Sequence, residues 1–293
     1  LLHYQTQRVF TSDCEGFTVM FMPITQGGHH FAPNFYDDIV SAGLDTNLKL
    51  VLDAGATGSY AGSGQTFSDL TASGADFWFG AASGSSTDDP TFNGTAGGLS
   101  SAEFMSFDGG DFFELKTSNP TFVNNMHKNN ALLSALCWVY VGTVSSEDHI
   151  FGTSGSLNAK IGVELSLDTG IRFAVRGTGT NVGNFRSDSL PSSSAWHLIG
   201  ITINEAGGAS GSFFYEDGDY NQVSSSNTFN AAYSSPSASS ATHPIQVGGN
   251  GASTDLWMNG GRIAGVMIWE GSVLSKANMD TIWNAQKSRF GLS

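Results

Sequence analysis

The sequence predicts an all-β protein in which short antiparallel strands pack as two sheets around an aromatic core. Its 293 residues include 37 glycines and 21 phenylalanines, whereas only 13% are charged. This composition is typical of many short strands joined by turns. Apolar and polar residues alternate from residue 161 to 175 around a turn at Thr169 and Gly170, which indicates a hairpin with one face in the core and the other in solvent. The uncharged run at residues 132–141 indicates a central strand packed on both sides.

The other strands are predicted from the order of apolar runs and turns. An apolar run begins at Leu48. Residues 104–115 indicate two short strands around Asp108-Gly109-Gly110-Asp111, for which a hairpin is the simplest interpretation because glycine supplies the positive φ of a tight turn. Residues 224–244 are mostly small and polar, so they predict a long surface loop at the rim of the sandwich. Further strands are expected at residues 149–152, 198–204, 213–218, 243–249 and 263–269.

The C-terminus predicts a helix that closes the domain. Ser275 is a typical N-cap residue, and the apolar Met279, Ile282 and Trp283 follow it at helical spacing. Together with Phe290, they form an apolar stripe that must be covered. We therefore expect the helix to be integral to the fold.

The N-terminal segment differs from the rest of the chain. Residues 1–43 carry few periodic apolar positions, and within them only residues 17–22 suggest a strand. We expect this segment to be an arm that attaches the protein to a partner. Residues 44–293 are expected to form the sandwich domain.

Three motifs in this domain resemble a known family. The run LKLVLDAGATGSYAGSGQTFSDLTASG starts at Leu48, Trp196-His197 precedes an apolar strand, and Lys-Ser-Arg-Phe-Gly ends the terminal helix at Gly291. These motifs resemble the LamG-like, concanavalin A-type jelly-roll family, which includes laminin G modules, pentraxins, legume lectins and related glucanases. They are similar to the modules of this type that occur in bacteriophage and large-virus structural proteins. The resemblance covers about 245 residues. It implies an antiparallel jelly-roll β-sandwich with a C-terminal helix, and it points to binding rather than to chemistry.

Charge, hydropathy and cysteine content exclude several classes of partner and of structure. The net charge is −14, from 26 acidic and 12 scattered basic residues, so neither nucleic acid nor an anionic membrane is an expected partner. No stretch is long and apolar enough for a membrane span. Cys14 and Cys137 are too few for a disulfide framework, and we expect free buried thiols, although one bridge remains an alternative.

The sequence contains no catalytic array that we can identify, and the prediction is that the protein is not an enzyme. The glucanase branch of the resembling family needs carboxylates about 5 to 5.5 Å apart on one strand face. Here Glu164 stands alone among apolar neighbours, and Glu216 and Asp217 are adjacent, so they point to opposite faces. His197 is expected to be a partly buried, hydrogen-bonded structural histidine.

Acidic residues in glycine-rich turns are candidate Ca²⁺ ligands, as the resemblance implies for the sandwich rim. The candidates are Asp108 with Asp111 and Asp217 with Asp219, and Asn250 with Asp255 forms a third pair. The alternative is that these side chains bond the backbone of their own turns. No other cofactor is predicted.

Aromatic side chains in expected loops or strand edges could stack on sugar rings. Tyr60, Tyr233 and Trp257 are the candidates, and Tyr220 lies in a similar position. Core packing or chance exposure is the alternative for each of them. The resemblance transfers no binding site to any one of these residues.

Two functional hypotheses follow, and an enzyme of unrecognised kind is a third. The first is a non-enzymatic virion structural protein: a capsid decoration, head spike or tail-fibre component. Its arm would contact other virion proteins, its sandwich would face a glycan or host surface, and it would form a homo-oligomer or part of a larger assembly. The second is a secreted or surface-anchored bacterial carbohydrate-binding module. Genomic neighbours would separate them: capsid and portal genes against a polysaccharide-utilisation locus.

Overall fold

The computed structural model describes residues 33–144, 147–155, 160–177, 180–222, 236–257 and 259–293. The chain divides into two units, Leu1–Phe31 and Ala32–Ser293. The first unit, with the expected strand at residues 17–22, lies outside the described residues. The last part of the predicted arm forms helix α1 (Phe35–Ser41), within the second unit.

Short strands make up most of the second unit. In chain order, they are β1 (Leu48–Asp53), β2 (Thr66–Phe67), β3 (Phe77–Phe79), β4 (Thr91–Asn93), β5 (Phe104–Ser106), β6 (Phe113–Leu115), β7 (Leu132–Val141), β8 (Asp148–Gly152), β9 (Gly162–Leu167), β10 (Ile171–Gly177), β11 (Thr180–Arg186), β12 (Ala195–Asn204), β13 (Phe213–Glu216), β14 (Asp219–Gln222), β15 (Gln246–Val247) and β16 (Arg262–Glu270). Helices α2 (Thr121–Asn125) and α3 (Lys276–Gln286) join them, with 3₁₀ helices at Glu205–Gly211 and Lys287–Phe290.

The described strands form two sheets, and the pairs between them are antiparallel. Sheet A has the order β14-β13-β12-β7-β16-β5-β4, and β1 also pairs with β16. Sheet B has the order β11-β10-β9-β8-β15-β6-β3-β2. The predicted two-sheet antiparallel sandwich is therefore confirmed, and β7 lies between β12 and β16 as a central strand should.

The main core lies between the two sheets. It is formed by the side chains on one face of each sheet, because successive side chains along a strand point to opposite faces. Sheet B contributes Val163, Leu165 and Phe173, and sheet A contributes Val139 and Ile201. Cys137 is a free buried thiol in this core, as expected, whereas Cys14 lies outside the described residues.

A second core covers the outer face of sheet A. Helix α3 has a capping box between Ser275 and Asn278, and it buries Met279, Ile282 and Trp283 against the sheet. Helix α1 contacts both α3 and β1. The predicted terminal helix and its role in closing the domain are confirmed, and the second unit has the layer order helices, sheet A, sheet B.

Two details of the predicted strand arrangement are wrong. Residues 104–115 do not form a hairpin, because β5 pairs in sheet A whereas β6 pairs in sheet B. The connection between β5 and β6 therefore crosses from sheet A to sheet B. Phe107 in this connection and Phe113 at the start of β6 both belong to the core between the sheets. The 161–175 hairpin exists as β9 and β10, but its expected solvent face is buried: Glu164 is 1% exposed and Ser166 is fully buried.

Among the described residues, no helix is both long enough and apolar enough to cross a membrane.

Candidate functional site

The outer face of sheet B carries a row of aligned, mostly polar residues that crosses all of its strands. Strand pairing aligns its members in one register: Thr66, Trp78, Glu114, Gln246, Gly152, Glu164, Ala174 and Asn184. Their immediate neighbours along the strands point into the core. Helices α1 and α3 lie against sheet A, so this row belongs to the opposite side of the second unit.

Trp78 dominates the first half of the row. It stands between Phe77 and Phe79 on β3, and since both phenylalanines are buried in the core, the pleat turns the indole outward. The ring is partly exposed. The Lys116 ammonium lies 4.1 Å from the ring centroid and donates a 2.6 Å hydrogen bond to the Thr66 hydroxyl.

Glu114 continues this half of the row beside Trp78. Its Oε2 accepts a 2.9 Å hydrogen bond from Gln246 Nε2, and burial raises the pKa of the carboxyl. Gln246 is fully buried, and its Oε1 accepts the backbone N–H of Gly251 at 3.0 Å. We call Thr66, Trp78, Glu114 and Lys116 the Trp78 patch. It combines an aromatic face, a carboxylate, an ammonium and a hydroxyl on a rigid sheet.

Residues 249–255 separate the two halves of the row. They lie over Gly152, where a Cβ would come within 2.7 Å of the Asn250 Cα, so only glycine fits. The Gly155 N–H donates a hydrogen bond of 2.7 Å to the Asn250 carbonyl, and this bond holds residues 249–255 over the sheet.

Around the second half of the row, the outer face of sheet B carries a ladder of ion pairs. Glu164 pairs with Arg176 at 2.9 Å, Glu147 pairs with Arg172 at 2.6 Å, and Asp168 pairs with Arg186. Each basic side chain therefore has an acidic partner, as buried charges require. The sequence interpretation of Glu164 as an isolated acid was wrong, because its partners come from neighbouring strands.

The Glu164 carboxylate is held in its ionised form. Burial alone would raise its pKa, but His149, the Arg176 guanidinium and the Ser154 hydroxyl together lower the pKa to about 2. His149 Nε2 lies 3.7 Å from Glu164 Oε2, which is too long for a hydrogen bond. Both ring nitrogens of His149 are buried without a hydrogen-bond partner, and so is the hydroxyl of Ser166, its cross-strand neighbour.

A third polar group lies at the end of β12 and contains a serine, a histidine and an aspartate. His197 Nδ1 is 2.6 Å from Asp217 Oδ2, and its Nε2 is 2.9 Å from the Ser192 carbonyl and 3.1 Å from the Ser192 hydroxyl. Burial lowers the pKa of His197, but Asp217, the Ser192 carbonyl and Glu216 outweigh it and raise the pKa overall.

This group does not have the geometry of a catalytic triad. In a triad the Nε2 lone pair accepts the serine proton, whereas here Nε2 faces a carbonyl oxygen to which it can only donate. Asp217 Oδ1 also accepts the Leu198 N–H at 2.8 Å, so the aspartate fastens the β13–β14 turn to β12. His197 is thus a hydrogen-bonded structural residue, as the sequence predicted, and it is buried more deeply than expected.

The aromatic candidates from the sequence do not form an exposed platform. Tyr60 is 6% exposed and packs between Phe79 and Phe92, and Trp257 is fully buried in the core. The expectation that Tyr60 and Trp257 lie in loops or at strand edges where they could meet a sugar is therefore wrong, because both rings pack in the core between the sheets. Tyr233 lies outside the described residues. Tyr220 is partly exposed and stacks on Phe213 at a centroid distance of 4.5 Å.

The Ca²⁺ candidates chiefly bond their own turns. Asp111 accepts the Asp108 N–H at 2.9 Å, and Asp108 accepts the Gly110 N–H at 2.8 Å. Burial, with the charges of Asp108 and Asp88, raises the pKa of Asp111 to about 7 despite the backbone hydrogen bond.

The other two candidate pairs are also engaged locally. Both oxygens of Asp217 accept hydrogen bonds, from His197 and from the Leu198 N–H. Asp219 lies opposite Glu216 in the backbone register of β13 and β14. Asn250 donates to Asp255 at 2.9 Å.

In the part of the chain that the structure describes, two groups of three side chains bring metal-ligating atoms within 4.8 Å of one another. These are Glu147, His149 and Glu164, and His197, Glu216 and Asp217.

Sequence reasoning missed the Trp78 patch. A local signal existed, because Phe-Trp-Phe on a short strand places the central residue opposite two core positions. Lys116 and Thr66 could not be assigned to it without knowing that β2, β3 and β6 are neighbours.

No protein-family model matches the sequence, and no curated protein matches it. Solved structures share the fold. Domain 4 of AbnA, an extracellular arabinanase from Geobacillus stearothermophilus determined with arabinotriose, is 13% identical with a TM-score of 0.51, covering 82% of this chain and 98% of that one. Trypanosoma rangeli sialidase, determined as its covalent intermediate with 2,3-difluorosialic acid, is 12% identical with a TM-score of 0.51, covering 83% and 33%.

The same sialidase determined in another structure is 13% identical with a TM-score of 0.50, again covering 83% and 33%. The chain thus spans about a third of the length of the trypanosome sialidase it matches. At these identities the likeness establishes the fold alone: a β-sandwich of the kind found in proteins that bind or process glycans.

Proposed function

We propose that this protein is a glycan-binding module that acts without turnover and binds sugar at the Trp78 patch. The observation that carries the proposal is the partly exposed indole of Trp78, flanked by Glu114 and Lys116 on one face of sheet B. An indole covers the apolar face of a sugar ring, and charged groups beside it exchange hydrogen bonds with the hydroxyls. Because the patch lies on paired strands, its groups are held in place before a ligand arrives.

The fold supports this proposal by analogy only. The arabinanase domain of the same fold was determined with arabinotriose, and it is matched over nearly its whole length. Arabinotriose is a neutral sugar, and we propose that this chain takes a neutral glycan too.

The arrangement of carboxylates favours binding over hydrolysis. Glu114 and Glu164 are separated by β15 and β8, hence by three strand spacings, or about 14 Å. Glycosidases place their two carboxyls about 5 to 9.5 Å apart. Glu147 lies within 4.8 Å of Glu164, but it is set against the Arg172 guanidinium rather than in the apolar surroundings of a typical general acid.

We further propose that the module belongs to a virion, as a capsid decoration, head spike or tail-fibre component. The sequence resemblance to modules of phage and large-virus structural proteins supports this role, and so does the strongly acidic composition. In this role residues 1–43 contact other virion proteins, the copies assemble as an oligomer, and the Trp78 patch faces outward to a host glycan. A secreted or surface bacterial carbohydrate-binding module is the second candidate, and it uses the same patch.

The test is a glycan-binding screen of the full chain with neutral arabinans, glucans and bacterial surface polysaccharides, followed by titration of the best ligand. Trp78→Ala should weaken binding about tenfold or more, corresponding to about 1.4 kcal/mol. Tyr36→Ala is the matched control, because it removes another partly exposed ring, on helix α1 beside sheet A. Equal affinity of the Trp78 variant and the unaltered protein would refute the proposed site. Release of reducing ends would refute binding without turnover.

A further inference from the structure

The outer face of sheet B contains a second group that the proposed glycan site does not use. We propose that Glu147, His149 and Glu164 bind a Zn²⁺ ion. Their ligand atoms lie within 4.8 Å of one another. His149 Nε2 and Glu164 Oε2 are 3.7 Å apart, close to the edge of about 3.4 Å that a tetrahedral site with bonds of 2.0 to 2.1 Å requires.

The state of the His149 side chain indicates that a ligand belongs there. The residue is 1% exposed, and neither ring nitrogen has a hydrogen-bond partner. A buried polar group without a partner costs about 1–3 kcal/mol, and native proteins rarely accept this cost without a functional reason. If one ring nitrogen coordinates a metal ion, that nitrogen has a partner and its share of this cost is removed.

The carboxylates are prepared for coordination. Arg176 and the Ser154 hydroxyl fix Glu164, and Arg172 fixes Glu147. Such contacts to ligating carboxylates orient them and are part of most metal sites. Each carboxylate has about four lone-pair positions, so the guanidinium contacts leave positions for the metal. The Glu147 side chain is 42% exposed, which gives the ion a route from solvent.

The charge balance of the group selects the type of ion. The two carboxylates are offset by Arg172 and Arg176, so the site has little net negative charge for a hard cation such as Ca²⁺, which depends on many charged oxygens. An imidazole with two carboxylates suits Zn²⁺ instead. Water or the nearby Ser166 hydroxyl can complete the coordination.

The second group of three side chains does not offer the same opportunity. In His197, Glu216 and Asp217, the histidine Nδ1 is engaged with Asp217 at 2.6 Å and Nε2 with the Ser192 carbonyl at 2.9 Å. A metal would have to replace an existing hydrogen bond there, whereas at His149 it would replace only the longer contact of 3.7 Å with Glu164.

The experiment is calorimetric titration of the metal-free full chain with Zn²⁺ and, in parallel, Ca²⁺. Thermal unfolding and the visible spectrum of the Co²⁺-loaded protein are measured alongside. We expect saturable Zn²⁺ binding at one site, a rise in melting temperature with Zn²⁺ and not with Ca²⁺, and the intense visible bands of tetrahedral Co²⁺. Glu147→Gln should weaken Zn²⁺ binding about tenfold or more, since even supporting residues cost about 10- to 100-fold in affinity.

Two further variants keep the test decisive. His149→Phe should fold, because it removes an unpartnered buried imidazole, and it should lose the Zn²⁺-dependent rise in melting temperature. His243→Gln is the control, since His243 Nε2 is also buried without a partner but belongs to neither three-residue group, and it should bind Zn²⁺ like the unaltered protein. Absence of Zn²⁺ binding, or equal affinity of the Glu147→Gln variant and the unaltered protein, would overturn the proposal. The Trp78→Ala variant should still bind Zn²⁺, so this test and the glycan test fail independently.

Discussion

Arg289 and Asp53 are 236 residues apart in the sequence and form a bidentate ion pair, with Nη1 to Oδ2 at 3.0 Å and Nη2 to Oδ1 at 2.8 Å. Asp53 is fully buried and also accepts the backbone N–H groups of Phe35 and Gly55. The guanidinium lies 4.3 Å above the Phe35 ring. One carboxylate thus joins β1, helix α1 and the C-terminus, and the ion pair links the Leu-Asp-Ala-Gly motif to the Lys-Ser-Arg-Phe-Gly motif.

Replacing Arg289 by methionine should strongly destabilise the protein. The substitution leaves the Asp53 carboxylate buried without a counter-ion, and removing one partner of such a pair costs about 3–5 kcal/mol. The loss in the free energy of unfolding would be measured by denaturant unfolding monitored by tryptophan fluorescence. Lys276→Met is the control, because its pair with Asp280 is a surface contact four residues along α3, of a kind worth about 0.3–0.5 kcal/mol. Similar losses for both variants would contradict the structural role of Arg289.

The terminal helix should be indispensable to the fold. Trp138 on β7 stacks on Phe290 at 4.0 Å and on Trp283 at 5.5 Å, so this aromatic group bridges the sheet and the C-terminus. Phe290→Ala should cost about 3–5 kcal/mol, as for other buried aromatic residues. Truncation before Ser275 should cost more, because it exposes the outer face of sheet A. A truncated protein that kept its melting temperature would refute this prediction.

The His197–Asp217 pair should stabilise the fold in a pH-dependent way. The pKa of His197 is raised in the folded protein, so the stabilisation is complete below the unfolded value of about 6.5 and is lost as the pH rises through the folded pKa. Asp217→Asn removes the charge but keeps an acceptor for the Leu198 N–H, and asparagine tolerates the positive φ of 50° at this turn.

We expect this variant to be less stable by about 1.5–3 kcal/mol near pH 6, as for a hydrogen bond to a charged group. The difference should shrink at alkaline pH. Unfolding free energies measured across this range would decide the point, and a loss that did not depend on pH would contradict it.

The sequence predicts the class of fold because the patterns that define it are local. The alternation in β9 and β10, the uncharged β7 and the Ser275 cap each act within about ten residues. The crossing between β5 and β6 was missed for the opposite reason: a glycine-rich turn between two apolar runs fits a hairpin and a sheet-to-sheet connection equally well. Which one forms depends on the distant partners of β5 and β6.

The candidate site was predictable only in part. His197 and Asp217 belong to recognisable motifs, whereas Trp78, Glu114 and Gln246 come from strands far apart in sequence that sheet B places side by side. Trp257 shows the converse error, because a tryptophan in an expected loop was a reasonable sugar platform until the core was found to enclose it. Which residues lie side by side, and which are buried, depends on the order in which the strands pair. The residues near any one position in a single sequence do not reveal that order.

Asp111 should make the protein less stable as the pH rises. Its folded pKa is raised from 3.8 to about 7 by burial, Asp108 and Asp88. The folded state therefore holds a proton that the unfolded state has lost, and stability falls as the pH rises from about 4 to above 7. Asp111→Asn removes the titrating group and keeps an acceptor for the Asp108 N–H.

The Asp111→Asn variant should consequently have a flatter pH profile than the unaltered protein. At pH 8 its melting temperature should be higher by about 2–4 °C, corresponding to about 1 kcal/mol after allowance for solvent screening. Asp45→Asn, at an exposed position, should leave the profile unchanged. Repeating the scans with Ca²⁺ tests the candidate ligand pair Asp108 and Asp111. A bound ion would stabilise the unaltered protein at pH 8 and have no effect on Asp111→Asn, whereas identical responses of the two proteins would exclude Asp111 as a ligand.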